Sequence, residues 1–182
     1  MSTPTGSIHA RAISVVTAQF QALHREMRSE VSARDHTALN WIPCPAANSV
    51  ATIVTHTLGS EAETLHAVAG VPGSRDRDAE FDRGDQSKTD LLEQIDRAVS
   101  LLDELAPRLT DDRALSLTTL PTLPGDDRRS GWTWLVQNLG HAREHMGHLR
   151  LTVQLYDAGF SSMGSRRSNK GPSRTRTKDS SQ

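Results

Sequence analysis

The sequence contains one cysteine, Cys44, and this scarcity excludes two architectures that depend on several thiols. A single thiol cannot form a disulfide within the chain, and it cannot supply a cysteine cluster for structural zinc. Cys44 lies between Pro43 and Pro45, in a rigid turn where we expect a partly buried thiol without a chemical role. Neither an internal disulfide nor a cysteine-based metal cluster is therefore expected.

Long apolar runs are also missing from the chain. No stretch of about 18 consecutive apolar residues occurs, so we expect no membrane-spanning helix and no membrane as a partner. Residues 1–10 lack the basic stretch followed by an apolar one that is typical of a secretory signal. We therefore expect the protein to be cytoplasmic.

Charge of one sign is not in excess over the whole chain, but it is unevenly distributed. The formal net charge is −1, yet residues 164–182 are strongly basic and the rest of the chain is acidic. Clusters of Lys and Arg bind phosphate groups without sequence preference, whereas an acidic body opposes such contact. Nucleic acid is therefore not an expected partner.

The most prominent pattern in the sequence is the helical periodicity of its apolar residues. Aromatic residues make up only 4% of it, whereas alanine and leucine are plentiful. Apolar residues recur at intervals of three and four positions, as on the buried face of a helix. We predict four long helices, with Asn48 or Ser49 as the N-cap of the second, Gly70 as its end and Ser87 as the N-cap of the third. They span about residues 7–33, 49–69, 87–107 and 131–157.

These helices predict an all-α fold with one domain. Four amphipathic helices of comparable length form a four-helix bundle, here over residues 1–160 of the 182-residue chain. Residues 71–86 are polar and rich in Asp, Arg and Gly, and are predicted to form a long exposed loop. Residues 161–182 carry almost no apolar side chains and are predicted to form a basic disordered tail.

Three histidines lie in one stripe of the fourth predicted helix: His141, His145 and His148. Positions four apart in a helix lie about 40° past a full turn, so His141 and His145 can converge on one divalent ion. His145 and His148, three apart, form a second such pair. The spacing leaves open which pair binds a metal, and whether the stripe is only the polar border of a buried helix face.

A third ligand is available from the second predicted helix. His56 lies at the edge of its apolar face, small Gly59 and Ser60 follow one turn later, and metal sites in bundles lie between facing helices. Glu63, two turns on, is either a carboxylate that accepts a proton or orients a ligand, or an exposed helix residue. His66 points about 80° away from His56 and should not join the site. Three further histidines have no partner at ligand spacing and are expected at the surface or the core boundary: His9, His24 and His36.

Two stretches of the sequence resemble the DinB-like, or YfiT-like, family of bundle proteins. The first is residues 41–61, which read W-I-P-C-P-A-A-N-S through a single histidine to L-G-S-E, and the second is the H-A-R-E-H-M-G-H of residues 141–148. The similarity covers about residues 7–158. It implies that His56, His141 and His145 bind one divalent metal ion and that His148 is only a neighbour.

The resemblance also implies a helix order and an activity. The family bundle has up-down-down-up order, and residues 71–86 are long enough for the required crossover. Some members resemble thiol transferases that use bacillithiol, mycothiol or glutathione, while many have no known activity. The implied cofactor is a divalent ion such as zinc, nickel or iron, and the implied cosubstrate is a low-molecular-weight thiol that attacks a small-molecule electrophile.

Two alternatives use the same three histidines. An ion with open coordination positions also activates water, which makes a metal-dependent hydrolase the first alternative. The second is a non-catalytic bundle that is stabilised by its metal and acts through homodimerisation or partner binding. Its interface would use Trp41, Trp132 and Trp134, although tryptophans more often border a core.

Overall fold

Four long helices dominate the computed structural model, which describes residues 8–123 and 126–160. Three short helices and a 3-10 turn at Ala106–Arg108 lie between them, and β1 and β2 form a two-stranded antiparallel pair. In chain order the elements are α1 (Ile8–Ser32), α2 (His36–Asn40), α3 (Val50–Ala69), α4 (Arg77–Phe81), α5 (Lys88–Leu105), α6 (Asp111–Leu115), β1 (Leu117–Thr118), β2 (Arg129–Ser130) and α7 (Gly131–Asp157).

The predicted all-α fold is confirmed over these residues. The four predicted helices correspond to α1, α3, α5 and α7, while their up-down-down-up order stays a prediction. The predicted tail, residues 161–182, lies outside the described residues. Within the described part of the chain, no helix combines the length and apolar character needed to cross a bilayer.

Local capping signals explain why the helix boundaries were predictable. The Ser49 hydroxyl accepts a hydrogen bond from the Thr52 N–H at the start of α3, and Gly70 ends that helix in the left-handed conformation. At the start of α5, Ser87 and Asp90 each accept a hydrogen bond from the other's backbone N–H, which is a capping box. The Ser49 cap sets the start of α3 and so places His56 about two turns into the helix.

The core lies where the four long helices meet. α3 and α1 each contact both α5 and α7. α3 is buried on nearly every side, because most of its twenty residues are inaccessible to solvent. The largest fully buried side chains of the described residues are Phe20, Leu23, Met27, Leu39, Leu65, Leu91, Ile95, Leu102, Leu105, Leu135, Met146 and Leu149.

The predicted exposed loop at residues 71–86 is only partly correct. It contains α4, which begins at an Asp76 cap, and it buries both Glu80 and Gln86. Gln86 is fixed by polar partners outside the loop: its Nε2 donates to Thr55 Oγ1 at 3.1 Å and its backbone N–H to Asn40 Oδ1 at 2.8 Å. The polar composition misled the prediction because these side chains bury themselves against other polar groups.

Two further expectations need correction. His24 is not at the surface or boundary: it is 1% exposed, and its Nε2 lies 2.9 Å from Glu61 Oε2 on α3. Cys44 is exposed rather than partly buried, because its turn lies outside the core. The expectation that tryptophans border the core is confirmed in α7, where Trp134 is buried and Trp132 packs against the core.

Candidate metal centre

The structure brings together the three histidines of the predicted site. His56 comes from α3, and His141 and His145 come from successive turns of α7, which packs against α3. One ring nitrogen of each residue lies within 4.8 Å of the corresponding nitrogens of the other two. The closest pair is His141 Nε2 and His145 Nε2, which are 2.9 Å apart. Three imidazoles from two helices therefore surround one point.

His148 lies on the wrong side of His145 to join this cluster. Its Nδ1 is 3.4 Å from Nδ1 of His145, whereas His145 turns its other nitrogen, Nε2, towards His141. His148 is also exposed to solvent. Of the two pairs that the spacing left open, the structure thus favours His141 with His145. His66 is separate as predicted, because its Nδ1 lies 2.7 Å from the Ala62 carbonyl of its own helix.

A carboxylate from α4 contacts the second nitrogen of His56. His56 Nδ1 lies 2.9 Å from Glu80 Oε2, and both side chains are buried. Arg75 donates to both oxygens of Glu80, from Nε at 2.7 Å and from Nη2 at 2.9 Å. The ring of Phe81 also packs near His56, with 4.9 Å between the ring centroids. The loop that was predicted to be exposed therefore covers one side of the site.

Glu63 is buried, which corrects the expectation of an exposed helix carboxylate. It accepts hydrogen bonds from Arg75 Nη1 at 2.9 Å, from the Thr122 backbone N–H at 2.8 Å and from the Thr122 hydroxyl at 2.7 Å. All of these partners hold the carboxylate in place. Arg75 is consequently shared between Glu63 and Glu80, and it ties α3 to the start of α4.

Burial keeps two of the clustered imidazoles in the neutral form. It lowers the pKa of His141, and repulsion from a protonated His56 ring and from the Arg75 guanidinium would oppose protonation further. Burial and the repulsion of the neighbouring histidines lower the pKa of His145 to about 4. A neutral imidazole has a nitrogen lone pair to offer, which is the form that binds metals. At neutral pH these rings are therefore ready to act as ligands.

The charged groups around the site are held in their ionised forms. Burial alone would raise the pKa of the Glu80 carboxyl, but hydrogen bonds from His56 and Arg75 outweigh it, and the pKa lies below its ordinary value. Burial likewise opposes ionisation of Arg75, and the hydrogen bonds to Glu80 and Glu63 outweigh it and raise the pKa of the guanidinium. A carboxylate and a guanidinium therefore border the histidine cluster.

The donor set fits a divalent cation. Neutral imidazole nitrogens suit zinc, nickel, iron and copper. Two such nitrogens facing each other at 2.9 Å either share one proton or converge on a cation. His141 Nδ1 is buried and has no hydrogen-bond partner among the described residues, so its ring is not committed to another protein group. The residues present therefore match a three-nitrogen metal site.

A cavity of about 260 Å³ opens beside His56 and His141. Leu120, Leu123 and Trp134 form an apolar part of its wall. Asn138 also lines it, donating from Nδ2 to Ser60 Oγ at 2.9 Å while its buried Oδ1 has no partner among the described residues. Further polar side chains on the wall are Thr64, Arg75, Arg77, Thr122 and Gln137.

Sequence reasoning missed Arg75 and Glu80. They lie in a segment without periodicity, and their partners His56 and Glu63 belong to α3, more than ten residues earlier. No local spacing shows such a pairing. The only available signal was chemical, since a metal-binding histidine usually donates its second ring nitrogen to a carboxylate or a carbonyl group.

Comparison with known proteins shows the family of the chain. The family model described as the DinB superfamily matches residues 17–149, which include all three histidines and the segment with Arg75 and Glu80. No curated protein matches the chain. The matched range covers most of residues 7–158, over which the sequence resemblance was recognised.

Proposed function

The chain belongs to the DinB superfamily, and on that premise we propose that it is a metal-dependent thiol transferase. In this proposal His56, His141 and His145 hold one divalent ion, and a low-molecular-weight thiol reacts with a small electrophile in the adjoining cavity. We place the reaction in the cytoplasm, where low-molecular-weight thiols are kept reduced.

The observation that carries the proposal is that the three-histidine cluster borders a cavity, which two of its members, His56 and His141, line. Three protein nitrogens leave a divalent ion with at least one open position, as in catalytic rather than structural sites. The cavity of about 260 Å³ beside His56 and His141 gives a small ligand access to that position. A site that only held the helices together would not need this access.

When bound, the ion supplies positive charge that favours a thiolate over a thiol, whose ordinary pKa is about 8.5. In the transfer, a bond forms between the sulfur and an electrophilic carbon. The bond from that carbon to its leaving group breaks, the leaving group takes the electron pair, and the thiol proton passes to solvent. The apolar wall of Leu120, Leu123 and Trp134 suits the carbon skeleton of the electrophile. The free Oδ1 of Asn138 accepts a hydrogen bond from an N–H or O–H of either reactant.

The two carboxylates near the site favour a thiol over water as the nucleophile. A hydrolase of this type needs a free general base to take a proton from water. Glu63 is engaged by Arg75 and Thr122, and Glu80 by Arg75 and His56. A thiol needs less help, because its proton is lost more readily than that of water.

Cobalt substitution tests the proposal, because a sulfur ligand adds a charge-transfer band that an oxygen or nitrogen ligand does not. We expect at least one of glutathione, mycothiol and bacillithiol to produce this band in the cobalt-loaded protein, with release of a proton. S-methylglutathione, which lacks the thiol, is the matched control and should leave the spectrum unchanged. If none of the three thiols changes the cobalt spectrum, the transferase proposal is wrong.

A further inference from the structure

We propose that Glu80 is the positioning residue of the metal centre. Its carboxylate holds His56 in the tautomer that carries the proton on Nδ1, so that Nε2 is the nitrogen presented to the ion. This inference rests on the metal site of the proposed function, but it does not depend on the transfer reaction.

The contact of His56 with Glu80 determines the tautomer. An ionised carboxylate can only accept hydrogen bonds, so the His56 nitrogen that lies 2.9 Å from Glu80 Oε2 must carry a proton. That nitrogen is Nδ1, so in the neutral ring that binds a metal the lone pair is on Nε2. Arg75 Nη2 lies 3.3 Å from the same Nδ1, but a guanidinium has only N–H groups to offer and cannot compete for this proton.

Arg75 fixes the carboxylate that fixes the histidine. Its Nε and Nη2 each donate a hydrogen bond to one oxygen of Glu80, and its Nη1 donates to Glu63 on α3. A planar guanidinium matches a carboxylate in this two-point manner and so restricts its rotation. Glu80 is therefore oriented by contacts on both of its oxygens, and the orientation is transmitted to the ring of His56.

Gly59 provides the space that this arrangement needs. It lies one helical turn after His56, and a Cβ atom there would lie 2.1 Å from Glu80 Oε1. Glycine in the interior of a helix weakens the helix, because it has more freedom to lose on folding than alanine. Its presence at this position in α3 is explained by the approach of the Glu80 carboxylate to the helix backbone.

A hydrogen bond between a carboxylate and a metal-binding histidine changes metal affinity by a measurable factor. A carboxylate that accepts the second N–H of a ligating histidine orients the ring and increases its basicity, and its loss typically weakens metal binding about 10- to 100-fold. The chain offers a matched control, since Glu63 is a buried carboxylate on the same Arg75 that does not contact His56. The substitution Glu63→Gln changes a contact of Arg75 but removes no contact of His56.

The test measures zinc affinity by competition with a chromophoric chelator, in the full chain and in Glu80→Gln, Glu80→Ala and Glu63→Gln. We expect the two Glu80 variants to bind about 10- to 100-fold more weakly than the unmodified protein, and Glu63→Gln to stay within about threefold. Equal losses in the Glu80 and Glu63 variants would overturn the proposal, since the effect would then come from general disturbance around Arg75. Absence of zinc binding by the unmodified protein would instead refute the metal site itself.

Nitrogen-15 NMR of the histidine rings supplies a readout that does not depend on any variant folding. We expect the unmodified zinc-loaded protein to show His56 protonated at Nδ1. Protonation at Nε2 would overturn the proposal. Gly59→Ala, which displaces the carboxylate without removing it, should weaken zinc binding in the same direction as Glu80→Ala, and unchanged affinity in this variant would also contradict the account.

Discussion

His145 shows at the residue scale how burial determines the chemistry of one side chain. Its ring is half-buried beside His56, His141 and His148, and its pKa falls to about 4 because burial and repulsion from these rings oppose protonation. An isolated surface histidine has a pKa near 6.5, so a large fraction of it is protonated at about pH 6. His145 therefore stays available to a cation over a wider pH range than an isolated histidine would.

This depressed pKa predicts that the metal-free protein loses stability in mild acid. Between about pH 6.5 and 4 the unfolded chain binds a proton at His145 and the folded chain does not, so stability falls as the pH falls. At pH 5 the shift of the His145 pKa from 6.5 to about 4 would lower the free energy of unfolding by about 2 kcal/mol. Solvent screening of this half-exposed ring reduces the expected loss to about 1 kcal/mol. His141 shifts in the same direction.

Urea denaturation in the presence of a chelator, at pH 7.5 and pH 5, measures this loss. His145→Gln is the control, because it removes the titrating ring and should lose less stability between the two pH values than the unmodified protein does. Glu80 does not interfere, because its pKa is lowered from the ordinary value of a carboxyl group and its side chain stays ionised in the folded protein at both pH values. The same loss in both proteins would show that His145 is not responsible.

The residue scale also shows what sequence can and cannot predict about the site. His141 and His145 were predictable because helix geometry converts a spacing of four into proximity. His56 required the bundle and the family resemblance, since it lies on another helix. Arg75 and Glu80 were not predictable, because their contacts with α3 depend on how an irregular segment folds back.

At the scale of elements, α3 and α1 are joined by a buried polar contact. His24 Nε2 and Glu61 Oε2 are 2.9 Å apart, and both side chains are 2% exposed. His24 could not be predicted to be buried, since its partner lies 37 positions away in sequence and no local spacing reveals the pair. Such a contact constrains how the two helices align, because sliding either one would leave two polar groups unpaired in the core.

Removal of either partner should therefore destabilise the protein strongly. We expect His24→Ala and Glu61→Ala each to lower the free energy of unfolding by about 3 kcal/mol, since each leaves a buried polar group without its partner. The double variant His24→Leu/Glu61→Met should lose less than the sum of the two single variants, because apolar groups replace both partners.

Chemical denaturation of the single and double variants measures this coupling. The exposed pair of Arg150 and Glu26, whose atoms are also 2.9 Å apart, is the matched control, and Arg150→Ala should cost less than about 1 kcal/mol. If Glu61→Ala costs no more than Arg150→Ala, the buried contact has no special role in holding α1 against α3.

Gly59 in α3 and two glycines inside α7, Gly140 and Gly147, should respond in opposite ways to substitution. A Cβ at Gly140 or Gly147 would meet no heavy atom within 4 Å, whereas one at Gly59 would collide with Glu80. Gly140→Ala and Gly147→Ala should therefore stabilise α7 by about 0.5–1 kcal/mol each, because alanine loses less freedom on folding. Gly59→Ala should destabilise the metal-free protein. Thermal unfolding of the three variants checks this, and a stabilising effect of Gly59→Ala would contradict the predicted steric conflict with Glu80.

Element boundaries were predictable where a local signal sets them. Ser49, Gly70 and the Ser87 capping box mark the ends of α3 and the start of α5 as expected. The segment 71–86 was not predictable, because its polar composition is typical of an exposed loop while its burial depends on partners in other elements. Helix caps could therefore be predicted from neighbouring residues, whereas polar contacts between residues distant in sequence could not.

For the whole molecule, the fold class follows from periodicity and the site follows from the way the helices meet. α3 and α7 are distant in sequence but pack together, and their contact places His56 opposite His141 and His145. The apolar stripes predict that four helices share one core, but they do not determine the relative directions of those helices. The up-down-down-up order and the division into residues 1–160 and 161–182 therefore stay predictions.

The most direct test of the central claim is the metal content of the unmodified protein and of four single alanine variants, at His56, His141, His145 and His148. Each protein is loaded with zinc, freed of unbound metal and analysed for zinc per chain, with circular dichroism to confirm that it is folded. The account predicts about one ion per chain in the unmodified protein and in His148→Ala, and almost none in the other three variants. Full retention of zinc by a folded His56→Ala, His141→Ala or His145→Ala protein, or loss in His148→Ala alone, would contradict it.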